Sequence, residues 1–158
     1  MNKSYIHTLG GENVNLDNKL PNISVYDCNE EQIDLHTLKV KKVYLSIPSF
    51  ANPHLLKELN KLDEAFKDYP RYHFYVISNE PVYTQNRLLK RTNLKTFKHL
   101  SDFKNRDFAR HTGTLIYELG QLVKAIIIVD EDDYVKYVKY YDDLYEPVNI
   151  DALKKELD

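Results

Sequence analysis

The chain has 158 residues and a formal net charge of −2, which favours one globular domain over residues 1–158 and gives no basis for binding nucleic acid. No stretch approaches the roughly 18 apolar residues of a membrane span. The first eleven residues lack the apolar core of a secretory signal, and we expect them to be flexible. The single cysteine, Cys28, excludes an internal disulfide and favours a cytoplasmic location.

Apolar and β-branched runs predict the strands. Residues 122–129 (LVKAIIIV) form the most apolar run and predict a central strand that is buried on both faces. An acidic turn over residues 130–133 then predicts a hairpin with the strand that follows. The predicted strands, in chain order, are residues 23–26, 42–47, 73–78, 122–129 and 134–140.

Four segments predict helices, of which residues 53–69 give the clearest pattern. Asn52 is a candidate N-cap and Pro53 a candidate first residue of this helix. Its apolar residues recur at steps of four and three, and they are Leu55, Leu59, Leu62, Phe66 and Tyr69. The other helices are predicted over residues 82–91, 105–111 and 150–157. The order of elements predicts an α/β fold, a mixed sheet flanked by helices in a thioredoxin-like layout.

Four short motifs occur in order along this frame. Residues 48–55 (PSFANPHL) are similar to the pattern Pro-Ser-x-Asp-Thr-x-x-Cys, and residues 77–87 (ISNEPVYTQNR) to Ile-Ser-Ala-Asp-Leu-Pro-Phe-Ala-Gln-x-Arg. Residues 100–102 (LSD) and the segment of residues 117–131 also have counterparts. Together the motifs resemble those of thiol peroxidases, the atypical two-cysteine peroxiredoxins. This resemblance implies a thioredoxin-like fold and a homodimer.

The chain departs from that family at its reactive positions. The resemblance places the peroxide-attacking cysteine on Leu55 and the resolving cysteine on Leu89. It places the threonine that binds peroxide on Asn52 and the arginine that stabilises the thiolate on Lys124. The positions that match the family site are therefore Pro48, Asn52, Leu55, Leu89 and Lys124, and only the proline is kept.

A leucine cannot replace the sulfur, because peroxide reduction needs a thiolate and an isobutyl group has no lone pair. We therefore predict that the chain has no catalytic residue and has lost peroxidase activity. We expect it to act as a non-catalytic binding or interaction module. The alternative of thiol-dependent antioxidant activity through Cys28 is weaker. The acidic neighbours Asp27, Glu30 and Glu31 oppose formation of its thiolate.

A second alternative uses the remodelled pocket. Its predicted lining residues, Asn52, His54, Arg87 and Lys124, include two cations that could hold a small carboxylate or phosphate, as an enzyme or an anion binder. The identity of such a ligand is open. No cofactor motif is present, and the six histidines lack the spacing of a metal site.

The loops around the family site predict an interface. Exposed aromatic side chains there would favour association with a second copy or with an intact paralogue. The predicted interface residues are Phe50, Ala51, Tyr83, Phe108 and Tyr117.

Overall fold

The computed structural model describes residues 9–10 and 14–158. Strands β1 to β10 span, in order, Leu9–Gly10, Ser24–Tyr26, Gln32–Asp34, Lys41–Ser46, Tyr72–Ser78, Phe97–Ser101, Leu115–Ile116, Gln121–Leu122, Ala125–Val129 and Val135–Tyr140. Helices α1 to α4 span Pro53–Ala65, Val82–Leu88, Asp107–Thr112 and Ile150–Leu157. The predicted flexible start lies outside the described residues, apart from the two residues of β1.

Seven strands form the main sheet, in the order β10-β9-β4-β5-β6-β2-β3. Strands β4, β5 and β6 run parallel to one another, and the remaining pairs are antiparallel. Strands β1, β7 and β8 form a small second sheet. One apolar core lies on each face of the main sheet, the first containing residues of α1 and α4 and the second residues of α3. The predicted mixed sheet flanked by helices is confirmed.

Helix α1 begins where the sequence predicts and ends earlier. Asn52 Oδ1 accepts hydrogen bonds from the N–H groups of His54 and Leu55, at 2.9 and 3.2 Å, so the N-cap is in place. The helix ends at Ala65, and the chain continues in turns to Tyr69. These turns keep the apolar face directed at the core, because Phe66 is buried and Tyr69 packs against the same cluster.

The predicted strand over residues 122–129 is two strands. Leu122 belongs to β8 in the small sheet, whereas β9 begins at Ala125 in the main sheet. Between them the N–H of Val123 donates to Thr114 O, at 2.7 Å. The chain therefore changes sheets at residues 123 and 124, and Lys124 is the one charged residue within the predicted run.

A buried ion pair joins β4 to the β9–β10 turn. Lys42 Nζ lies 2.9 Å from Asp133 Oδ1, and the lysine side chain is fully buried. The same ammonium donates to the carbonyl oxygens of Leu35 and Leu38, at 2.8 and 2.7 Å. All three donors are thus used, as a buried ammonium requires.

Removal of this ammonium should be costly. In Lys42→Ala the Asp133 carboxylate stays buried without its partner, so we expect the free energy of unfolding to fall by about 3–5 kcal/mol. Urea unfolding followed by circular dichroism measures the change. Lys136→Ala is the control, because Lys136 pairs with carboxylates at an exposed position, and its midpoint should barely move. Equal midpoints for the two variants would contradict the account.

Candidate functional site

The candidate site lies at the carboxyl end of β4, where the chain enters α1. Strands β4 and β5 are parallel, so their carboxyl ends meet. Glu80, just after β5, holds the loop that follows β4. Its carboxylate accepts from Ser49 Oγ at 2.7 Å, from Phe50 N–H at 2.9 Å and from Ser78 Oγ at 2.9 Å. The backbone that presents the start of α1 is therefore fixed by one side chain.

At this helix start the position predicted to match the peroxide-attacking cysteine is apolar. Leu55 is 2% exposed and Leu89 is 7% exposed, and both belong to the same core cluster. Leu89 follows the last residue of α2, and its N–H donates to Gln85 O at 2.9 Å, so the helix end is intact. Neither side chain carries an atom that donates an electron pair to peroxide. Both positions serve packing.

Lys124 stands 1% exposed between β8 and β9. Its Nζ lies 2.6 Å from Glu58 Oε1 on α1 and donates to the carbonyl oxygens of Leu144 and Glu146, at 3.2 and 2.5 Å. Glu58 Oε2 in turn accepts from the N–H of Val148, at 2.8 Å. Each donor of the ammonium has a partner, and its charge is balanced by one carboxylate.

This arrangement corrects the predicted anion pocket. Lys124 has no donor left for an anion, because Glu58 and two carbonyl groups take all three. Asn52 caps α1, and the exposed His54 ring packs against Tyr145, with centroids 4.9 Å apart. Arg87 lies exposed in the last turn of α2. Two clefts, of about 670 and 700 Å³, are lined by other residues.

The predicted interface residues divide into two groups. Phe50 and Phe108 are 0% exposed, so the prediction that their rings are available to a partner is wrong. Phe50 packs into the core around α1, and Phe108 packs edge-on against Tyr44 in the opposite core. Tyr83 and Tyr117 are 70% and 63% exposed, and Ala51 is also exposed.

Cys28 lies exposed in the turn that joins β2 to β3. Its carbonyl oxygen accepts from Asn86 Nδ2 on α2, at 3.0 Å. Within residues 9–10 and 14–158, no group of three or more histidine, cysteine or acidic side chains is arranged to hold a metal ion. Over the same residues no helix combines the length and apolar character needed to cross a membrane.

The third motif supplies a buried carboxyl group. Asp102 is 1% exposed and accepts from the N–H groups of Phe108 and Ala109, at 2.8 and 2.9 Å, so it caps α3 from outside the helix. Burial raises the pKa of Asp102 to about 7, against the lowering effect of these two hydrogen bonds.

The family described as Redoxin matches residues 15–154. The chain belongs to the redoxin family. Among curated relatives, this redoxin is 27% identical to a thiol peroxidase of Clostridium acetobutylicum, over 92% of this chain and 89% of the relative. It is 23% identical to a thiol peroxidase of Helicobacter pylori, over 98% of this chain and 96% of the relative.

Solved structures agree with this redoxin fold. A peroxiredoxin-like protein from Aquifex aeolicus superposes with a TM-score of 0.87 at 24% identity, covering 96% of this chain and 90% of that one. A thiol peroxidase from Chromobacterium violaceum superposes with a TM-score of 0.84 at 23% identity, covering 94% and 89%. The predicted thioredoxin-like, peroxiredoxin fold is confirmed.

Two site residues of this redoxin escaped the sequence reasoning. Glu80 stands in the second motif, two residues after the predicted strand of residues 73–78, and its place in that motif was a usable signal. Glu58 stands one turn beyond Leu55 on α1. Its partner Lys124 is 66 positions away, and no spacing in the sequence joins them.

The raised pKa of Asp102 predicts how stability changes with pH. The carboxyl group ionises near pH 4 in the unfolded chain and near pH 7 in the folded chain, so the folded state binds the proton more tightly between these values. The free energy of unfolding should therefore decrease as pH rises from 4 to 7, by up to about 4 kcal/mol from this group, and level off above pH 7.

Asp102→Asn isolates this contribution, since the amide does not titrate and keeps one acceptor oxygen for α3. Urea unfolding of both chains at pH 4, 5, 6, 7 and 8 should show the advantage of the parent shrinking towards pH 7. An advantage that grows with pH would mean that the two N–H donors outweigh the cost of burying the charge.

Proposed function

We propose that this redoxin has lost peroxidase activity and acts in the cytoplasm as a non-catalytic binding or interaction module. The observation that carries the proposal is the pair of buried leucines at the two redox positions. Leu55 and Leu89 share one core cluster, and the only cysteine lies exposed elsewhere. A thiol mechanism needs a nucleophilic sulfur at the start of α1, and none is present there.

The surroundings of Leu55 support loss of the chemistry rather than its transfer to another residue. The nearest cation of the family pattern, Lys124, is bound by Glu58 and by the segment after β10. His54 has no nucleophile at the adjacent position to deprotonate, and its ring packs on Tyr145. The helix start is therefore a capped structural element.

A thioredoxin-coupled assay with hydrogen peroxide tests the loss. The parent chain should give no turnover above the rate without protein. A Leu55→Cys, Leu89→Cys variant should consume peroxide at least about tenfold faster than the rate without protein, because the start of α1 still stabilises a thiolate.

A Leu55→Ser, Leu89→Ser variant is the matched control. It makes a similar change in size without sulfur, and it should stay inactive, which separates thiol chemistry from a loosened fold. Turnover by the parent chain would show that the activity was not lost.

We further propose that the module is a homodimer, or pairs with an intact paralogue, through the loops around the site. The support is a set of exposed apolar side chains, at 46–70% exposure, in the first turn of α2 and on the loops after β6 and β7: Tyr83, Phe103, Tyr117 and Leu119. Asn79 Nδ2 donates to Gly120 O at 2.7 Å, which holds the β7–β8 turn against the loop after β5. Aromatic side chains of this kind are enriched at interfaces.

Charges placed in this patch should separate the subunits. We expect the parent to sediment as a dimer at micromolar concentration and Tyr83→Glu, Tyr117→Glu to sediment as a monomer, since burying two carboxylates at an interface is costly. Tyr134→Glu, at an aromatic side chain that is 41% exposed in another turn, is the control and should stay dimeric. A monomeric parent would overturn the assembly proposal.

A further inference from the structure

The main sheet opens between β6 and β2. These two strands pair antiparallel at one position, Tyr26 with Ser101. If that register continued, Cys28 would lie opposite His99. The chain instead reverses direction over residues 27–31 and enters β3. Strand β2 therefore pairs with the end of β6 at Ser101 and leaves the edge at His99 unpaired among the described strands.

The main chain of His99 faces this opening. Asp102 N–H donates to Ser78 O at 3.0 Å, so this part of β6 is bonded to β5 through residues 100 and 102. Main-chain groups alternate in direction along a strand, so the N–H and C=O of His99 point away from β5. Among the described residues no strand pairs with β6 at that position.

A cleft of about 700 Å³ occupies the opening, and apolar side chains line it from both faces of the sheet. Leu89, Leu94 and Phe97 approach from the core around α1. The opposite core supplies Ile33, Leu38, Tyr75 and Leu100. A strand placed in the cleft would therefore meet apolar side chains on both of its faces, beside polar ones such as Asn86, whose Nδ2 donates to Cys28 O at 3.0 Å.

The lining of the cleft has no net charge. Asp27 and Lys98 are its charged residues, and their charges cancel. Burial lowers the pKa of His99, and it lowers the pKa of His73 together with the nearby Lys98 and Lys42. Both imidazoles are then neutral at pH 7. The site offers main-chain hydrogen bonds and apolar contact, without a net charge to attract a charged partner.

We propose that this cleft binds an extended, uncharged segment of a partner protein, which adds a strand to the open edge of β6. Main-chain groups of the segment pair with the N–H and C=O of His99, and its successive side chains enter the two apolar sides in turn. A segment buried on both faces reads as a continuous β-branched and apolar run. Strand addition of this kind does not depend on loss of peroxidase activity.

The probe is an acetylated and amidated peptide, Ser-Val-Ile-Val-Thr-Ser, titrated into the full chain and followed by NMR. The amide of His99 should show the largest shift, and its hydrogen exchange should slow at least about tenfold at saturation. The same peptide N-methylated at alternate residues cannot pair along one edge and should bind at least about tenfold more weakly.

Substitutions on either side of the cleft give the matched test. Ile33→Glu and Leu94→Glu, at half-buried lining positions, should each weaken binding, whereas Leu16→Glu, at an exposed apolar position outside the cleft, should not. Thermal melting checks that each variant folds, and the N-methylated peptide tests the proposal on the unaltered chain.

Three results would overturn the proposal. They are no binding at millimolar peptide, equal binding of the N-methylated peptide, and unchanged exchange of the His99 amide at saturation. Equal binding of the two peptides would make the cleft a general apolar pocket. Because the parent chain can bind the peptide whether or not it reduces peroxide, this test and the peroxidase assay fail independently.

Discussion

The need to neutralise one buried ammonium organises the candidate site. Lys124 lies between β8 of the small sheet and β9 of the main sheet, where its charge is buried away from water. Two segments supply its three partners, because α1 supplies Glu58 and the segment between β10 and α4 supplies two carbonyl groups. The second oxygen of Glu58 then fixes Val148. A charge that would be costly to leave unpaired thus ties the last part of the chain to the helix that carries Leu55.

The frame of the family site survives around a changed centre. Asn52 caps α1, Pro53 begins it, and Glu80 holds the preceding loop through three hydrogen bonds. In a thiol enzyme these features would favour a thiolate at the helix start. Here the same position presents Leu55 to the core. These contacts stabilise the start of α1, and the proposed interaction role uses other surfaces of the chain.

The spacing of apolar residues predicted those helices and strands that bury one regular face along their length. The apolar period of α1 and the β-branched runs of β4, β5 and β10 gave the elements, since each buries a regular face of its own. Strands β3 and β7 were missed, because two or three residues carry no period. The break before Ala125 falls at Lys124, the one charged residue in the predicted run, and the hydrogen bond from Val123 N–H to Thr114 O accompanies the change of sheet.

Side-chain environments were harder to predict than elements. The aromatic residues near the site were predicted to be exposed, yet Phe50 and Phe108 are buried, one in each core. The sequence suggests that Lys124 binds an anion, whereas in the structure its ammonium pairs with Glu58. That ion pair joins residues on different elements. Burial and pairing of this kind arise from contacts between residues that are distant in the sequence. The spacing of residues in a single sequence does not show such contacts.

The central claim is that the start of α1 no longer reacts with peroxide, and single-turnover peroxide consumption tests it without any reducing partner. The reduced chain is mixed with one equivalent of hydrogen peroxide, and the remaining peroxide is measured over seconds to minutes. The account predicts that peroxide decays at the rate seen without protein. Rapid loss of a stoichiometric amount, accompanied by oxidation of the chain, would contradict it.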